Sequence, residues 1–244
     1  MSCCTRSFGE VISRTEYLIE ASIMEIRDLC ALVSCVVLAL SGWIYGAKFF
    51  KKKNYLLGLE LWIVGFSATN FCIFIATGSE FNLGISLYLD SFSRSFGMPI
   101  IAVLGLMAVT HNYKPSVFIE VLLFAAAFAG TFVIFLAGFL DGVRPYFYVV
   151  MWSGYTIFLF YFVSQLVRAR ETLHALATAV GGLVALAVAI TYDFFPIPGD
   201  DTHMIFMTWA FITWSYGAIQ LYYAYVALVR AKETSFQSLA LAPR

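Results

Sequence analysis

Charged residues are scarce in this chain, and their scarcity sets the class of protein. Only 12% of the 244 residues are Asp, Glu, Lys or Arg, whereas 61% are hydrophobic. A soluble domain is about 25% charged, and a soluble fold of this size cannot bury so much apolar surface. Lipid is therefore expected to surround most of the chain. The formal net charge is zero, so no overall positive field favours nucleic acid as a partner.

Residues that carry chemistry are also few. The three histidines, His111, His174 and His203, are too scattered to form a zinc or iron centre. The five cysteines include no Cys-x-x-Cys spacing, and the chain contains no P-loop, Gly-x-Ser-x-Gly or His-Glu-x-x-His motif. We therefore expect no cofactor, no metal site and no enzymatic activity.

Long apolar runs are abundant instead. Runs of about 20 apolar residues predict transmembrane helices, and seven such runs are separated by short polar connections. The fold class is thus all-α, a seven-helix integral membrane bundle in residues 29–230 followed by a short cytoplasmic tail in 231–244. The seven predicted spans lie near residues 29–49, 55–77, 86–112, 117–139, 146–167, 173–194 and 204–229.

Residues 1–28 precede the first span. Their apolar side chains recur at roughly helical spacing, from Phe8 to Ile26, which predicts an amphipathic helix lying on the membrane surface. The alternative is that translation begins at Met24, which leaves all seven spans intact.

Lysine and arginine are unequally divided between the two sides of the predicted bundle. Ten lie in the first, third and fifth connections and the C-terminal tail, against five on the opposite side. The positive-inside rule then puts the N-terminus outside and the C-terminus in the cytoplasm. Short loops of this kind fit a bacterial cytoplasmic (inner) membrane. Aromatic residues near the span ends, including Tyr148 and Trp152, are expected to form interfacial belts.

Six polar side chains fall within the predicted spans or at their edges. A charge in the hydrocarbon core costs about 2.5–3.5 kcal/mol, so we expect pairing or access to water. We predict that these side chains bind substrate, with an outward-facing polar vestibule leading to a deeper path. They are Asp90, Arg94, Asn70 and Asp193 near the outer edge, Gln220 near the midplane, and Glu60 one to two turns above the cytoplasmic edge.

The same side chains also have structural interpretations. Asp90 and Arg94 are four residues apart and share a helix face, so they can form an ion pair that anchors span three. Arg94 can instead reach Asp193, and the sequence does not choose between these partners. Glu60 can extend to the cytoplasmic edge, and Gln220 can form a hydrogen bond between helices. Pro99 removes a backbone donor and can kink span three where it enters the bilayer.

An internal repeat is indicated by a shift of 117 positions, which aligns KKKNYLLGLELWIVGF (51–66) with RARETLHALATAVGGL (168–183). Lys51 then matches Arg168, and Gly65 matches Gly182. The repeat pairs spans one to three with spans five to seven and leaves span four as a linker. This 3+1+3 plan is similar to that of the SWEET-type sugar transporters in topology and length only, because the proline-glutamine signature is missing here.

Polar groups at successive depths in a compact bundle favour a small-solute transporter or permease. The alternative is a non-transporting membrane sensor or accessory subunit that binds a ligand or a partner protein. We expect the lipid bilayer and a small molecule as partners, and the chain can also associate with a membrane protein or with copies of itself.

Overall fold

Apolar sequences form helices in lipid because each backbone polar group must be satisfied within its own segment. The computed structural model describes the backbone of residues 3–195 and 197–240 and the side chains of residues 26–195 and 197–234. All regular structure in these ranges is helical, which confirms the all-α class. The elements are α1 (Cys3–Lys51), α2 (Tyr55–Thr77), α3 (Glu80–Phe92), a π-helical segment (Ser93–Ala102), α4 (Val103–Thr110), α5 (Val117–Leu136), a 3-10 turn (Gly138–Leu140), α6 (Arg144–Arg168), α7 (Thr172–Phe194) and α8 (Met204–Ala240).

Six helices of the described chain are long and apolar enough to cross a membrane. They match the first six predicted spans, and together they make the chain a multi-pass membrane protein. The seventh predicted span lies within α8, which is not one of the six, so the count of seven remains a prediction. The six are Ile26–Lys51, Tyr55–Thr77, Glu80–Thr110, Val117–Leu136, Arg144–Arg168 and Thr172–Phe194.

The third of these helices begins earlier than the sequence predicted. Gly78 ends α2 in the left-handed conformation, with φ +70°, and α3 begins at Glu80. Glycine adopts this conformation without the steric cost of a Cβ atom. The connection between the predicted spans, residues 78–85, is therefore reduced to two residues, and the helix starts six residues before position 86.

Helix packing arranges the bundle around a common interior. Helix α1 packs along α2 and α8, α6 packs on α7, and α7 packs on α8. Small residues permit the closest approach, since a Cβ atom on Gly42 of α1 would lie 2.5 Å from the backbone nitrogen of Gly65 on α2. Helix α5 is peripheral and contacts α3 and the π-helical segment.

Long-range hydrogen bonds tie helix ends together at both ends of the bundle. Arg27 on α1 donates to the Gly199 carbonyl in the α7–α8 connection, at 3.1 Å. At the opposite end, Lys232 of α8 donates to the Val109 carbonyl of α4, at 2.6 Å. Asp200 in the α7–α8 connection is buried, and its carboxylate caps the start of α8 by accepting from the Ile205 and Phe206 backbone N–H groups.

The π-helical segment replaces the kink expected at Pro99. An α-helix here would set the proline ring against the carbonyl of Ser95, and a π-helix has wider turns that relieve such local conflicts. Ten residues, Ser93–Ala102, adopt this form, so Arg94 and Pro99 lie in the same irregular stretch. Together α3, the π-helical segment and α4 form one continuous helical rod from Glu80 to Thr110.

The terminal boundaries predicted from the sequence are not marked by breaks in the backbone. Helix α1 is continuous from Cys3 to Lys51, and α8 runs to Ala240. The side chains of residues 1–25 and the last four residues, 241–244, lie outside the described residues. The amphipathic N-terminal segment, the alternative start at Met24 and the tail at 231–244 therefore remain predictions.

Candidate functional site

A cavity of about 120 Å³ lies in the interior of the bundle. Residues from α1, α2, α3, the π-helical segment, α6, α7 and α8 line it, and most of them are apolar or aromatic. Asp90 and Arg94 are the only Asp, Glu, Lys or Arg side chains among the described residues of the lining. Both belong to the predicted site, so the sequence identified the charged part of this cavity.

Arg94 pairs with both acids that the sequence offered as alternatives. Its guanidinium contacts Asp193 of α7 directly, and its Nη1 lies 3.7 Å from the nearer carboxylate oxygen of Asp90. The Asp193 contact is the tight one, and the Asp90 contact is longer than a hydrogen bond. The Arg94–Asp193 pair therefore connects the π-helical segment to α7 across the bundle.

Two tyrosines complete the surroundings of Arg94. The guanidinium carbon lies 4.0 Å from the ring centroids of both Tyr148 and Tyr192, a distance at which the cation is attracted to the ring faces. The Tyr148 hydroxyl is hydrogen-bonded to Ser91 at 2.7 Å. Tyr148 is only 4% exposed, as is Trp152. The predicted interfacial belt is therefore wrong for these two residues, which face the core because α6 turns them inward.

Glu60 is buried behind the cavity wall and does not reach the cytoplasmic edge. Its exposed fraction is 0%, and neither carboxylate oxygen has a hydrogen-bond partner among the described residues. The carboxyl group is packed against Gly97 of the π-helical segment, where any Cβ atom would collide with it. The interpretation in which this side chain extends to the membrane edge is thus wrong.

Two amides of the predicted site have different surroundings. The Asn70 side chain donates to the Phe66 carbonyl of its own helix, at 2.8 Å, and it does not line the cavity. Gln220 does line the cavity, and its Nε2 donates to the His174 carbonyl and the Thr178 hydroxyl of α7. Asp90, Arg94 and Gln220 thus share one cavity with Asp193 beside them, while Asn70 and Glu60 lie outside its lining. Whether any of the six binds substrate remains a prediction.

The cavity wall also contains polar groups that the sequence did not single out. The indole N–H groups of Trp152 and Trp214 and the Ser93 hydroxyl are buried and have no partner among the described residues. All three residues line the cavity. The sequence did not single out Trp152 because it lies near the start of its span, where interfacial tryptophans also occur, and the pattern of span seven did not indicate which way Trp214 faces.

The metal prediction and the relationship to known proteins complete the description of the site. No three His, Cys, Asp or Glu side chains converge as ligands among the residues searched, 26–195 and 197–234. Comparisons of the chain with family models, curated proteins and solved structures found no match. The functional argument therefore depends on the geometry of the cavity and the residues around it.

Proposed function

We propose that the protein is a small-solute transporter or permease of the bacterial cytoplasmic membrane, and that it binds its substrate in the central cavity. The observation that carries the proposal is that the cavity lies between the two helix triplets that the sequence repeat relates. The first triplet is α1, α2 and the rod from α3 to α4, and the second is α6, α7 and α8. Transporters built from such repeats bind substrate at the interface between them.

The turns that join the first and second helices of each triplet support the repeat. Lys53 and Arg170, related by the shift of 117 positions, both have positive φ, +56° and +63°. The next residue in each turn bonds back to an equivalent carbonyl, Asn54 to Phe49 and Glu171 to Leu166. Asn112 and His203 also have positive φ, so the support comes from the agreement in both φ and backbone bonding at positions that the shift relates.

The lining of the cavity supports the same relationship. Many of its residues form pairs separated by the shift of 117 positions, so that equivalent faces of the two triplets contribute to one space. The pairs are Leu38 with Tyr155, Leu61 with Thr178, Val64 with Gly181, Ala68 with Ala185, Asp90 with Met207, and Arg94 with Phe211. The predicted linker, α5, contributes no described lining residue, as the 3+1+3 plan requires.

A transport cycle follows from moving one triplet against the other around this cavity. The Arg94–Asp193 pair joins the two triplets at the end that contains the α7–α8 connection. At the other end, the bond from Lys232 to the Val109 carbonyl also joins them. Breaking one contact while keeping the other would open the cavity to one side of the membrane at a time.

An uptake experiment with a filled cavity tests the proposal. Ala185 lines the cavity, whereas Ala126 on α5 is exposed on the bundle surface. We expect proteoliposomes that contain wild-type protein to take up at least one solute from a panel of small cations, neutral polyols and amino acids. Ala185→Phe should lower this uptake at least about tenfold because it fills the binding space. Ala126→Phe should leave it within about twofold.

Uptake that is unchanged by Ala185→Phe would contradict a route through this cavity. The sensor or accessory-subunit alternative gives another result, in which a ligand binds and Ala185→Phe abolishes binding, but no solute crosses the membrane. The proposal contains no enzymatic step.

A further inference from the structure

The charged groups that line the cavity differ in what they leave free for a ligand. Arg94 is engaged by protein groups, because its guanidinium lies over the rings of Tyr148 and Tyr192 and contacts Asp193 directly. Asp90 has only the 3.7 Å contact with Arg94, and its carboxylate takes part in no hydrogen bond within the described residues. Its side chain is also 23% exposed, against 6% for Arg94. The accessible charged group of the cavity is therefore a carboxylate.

The charge around the cavity has an excess of acid. Asp90 and Asp193 share the single guanidinium of Arg94, which leaves a formal charge of one negative unit when all three are ionised. The nearby Arg144 does not compensate for it, because it is paired with Asp141. Glu60 adds a third carboxyl group behind the wall. Such a site attracts a cation and repels an anion.

Much of the remaining lining is apolar. The positions that correspond to Asp90 and Arg94 in the second triplet are Met207 and Phe211, and both line the cavity. Trp152 and Trp214 add aromatic surface to the lining. The lining thus combines one accessible carboxylate with apolar and aromatic surface.

We propose that the cavity binds a compact organic cation, a small alkylammonium or quaternary ammonium compound. Its charge would lie against Asp90, and its alkyl groups would pack on Met207, Phe211 and Trp214. Aromatic walls stabilise such cations through the electrostatics of their ring faces. The volume of about 120 Å³ is close to that of an apolar cavity known to accept benzene, about 150 Å³. This inference names the substrate class of the site and rests on the proposed function.

A pair of probes with the same shape isolates the effect of charge. Tert-butylammonium and tert-butanol differ in the charge of one group, so they fill the cavity alike. Purified protein would be heated with increasing concentrations of each probe at constant ionic strength, because binding to the folded state raises the unfolding temperature. We expect tert-butylammonium to raise it at concentrations at least about tenfold below those of tert-butanol. This comparison on wild-type protein needs no variant.

Two variants connect the effect to Asp90. Asp90→Asn should remove the advantage of tert-butylammonium, and Asp90→Glu should retain most of it. Asp141→Asn is the matched control, because Asp141 also pairs with an arginine but does not line the cavity. We expect this control to bind both probes as the wild type does. Equal stabilisation of the wild type by the two probes, or an undiminished charge preference in Asp90→Asn, would overturn the inference.

Failure of this inference is distinguishable from failure of the proposed function. If tert-butylammonium binds through Asp90 but no solute is taken up by proteoliposomes, the transporter proposal fails and the cation site stands. If neutral solutes are taken up in a manner blocked by Ala185→Phe and neither probe shows a charge preference, the cation inference alone fails.

Discussion

Arg94 is the residue on which the charged part of the cavity depends. A guanidinium inside a membrane bundle is stable only when it is paired. Arg94 receives two carboxylates and two aromatic faces, from α3, α6 and α7. The two acids do not contribute equally, because one contact is direct and the other is long. Asp193 is therefore the main partner of Arg94, and Asp90 interacts with it more weakly.

This division predicts unequal losses of stability. Asp193→Asn should lower the free energy of unfolding by about 3 kcal/mol, because it leaves a largely buried guanidinium without its main partner. Asp90→Asn should cost less than about 1 kcal/mol, as for a weak, partly solvated ion pair. Chemical denaturation in detergent would measure both variants. Equal losses would mean that Arg94 interacts with the two acids to the same extent.

At the scale of elements, α2 and the π-helical segment make a close contact. Glu60 of α2 is packed against Gly97, and Pro99 lies two residues further along the same segment. The wide turns of a π-helix are rare and occur mostly at functional sites. The segment holds Ser93 and Arg94 at the cavity, so a local irregularity in one helix positions two of the polar residues of the lining.

Gly97→Ala tests this contact. The added methyl group would collide with the Glu60 carboxyl group, so we expect a loss of about 1–3 kcal/mol in the free energy of unfolding. The loss should largely disappear in a Glu60→Ala background, which can be measured as a double-mutant cycle.

The matched control for this experiment is Gly84→Ala on α3. A Cβ atom there meets nothing within 4 Å, so the substitution should leave stability unchanged or raise it by up to about 1 kcal/mol. An equal loss from Gly97→Ala with and without the Glu60 side chain would show that the collision is not the cause.

At the scale of the whole molecule, the two triplets enclose one cavity and α5 lies outside it. Basic residues gather at the end that contains the α1–α2, α4–α5 and α6–α7 connections, and the α7–α8 connection lies at the other end with Arg27. With the positive-inside rule, this distribution predicts that the α7–α8 connection faces outward. If the α7–α8 connection faces outward and the C-terminal tail is cytoplasmic, α8 must cross the membrane.

Cysteine labelling checks this orientation and the seventh span together. Asp201 and Glu233 are both exposed and flank the apolar part of α8. In a variant without the five native cysteines, we expect Asp201→Cys to react with a membrane-impermeant maleimide on intact cells. Glu233→Cys should react only after the cells are opened. Labelling of both positions from the same side would rule out a crossing by α8.

The sequence by itself determined the all-α class, the first six spans and the two charged residues that line the cavity, because hydropathy and charge follow from composition along the chain. It did not determine that Arg94 contacts both Asp193 and Asp90, since these partners come from different helices. Nor did it show that Tyr148 and Trp152 face inward, or that Glu60 is enclosed by Gly97. Those features depend on the rotation and depth of each helix relative to its neighbours. Only the packing of the helices fixes these, because lipid solvates every apolar face equally well.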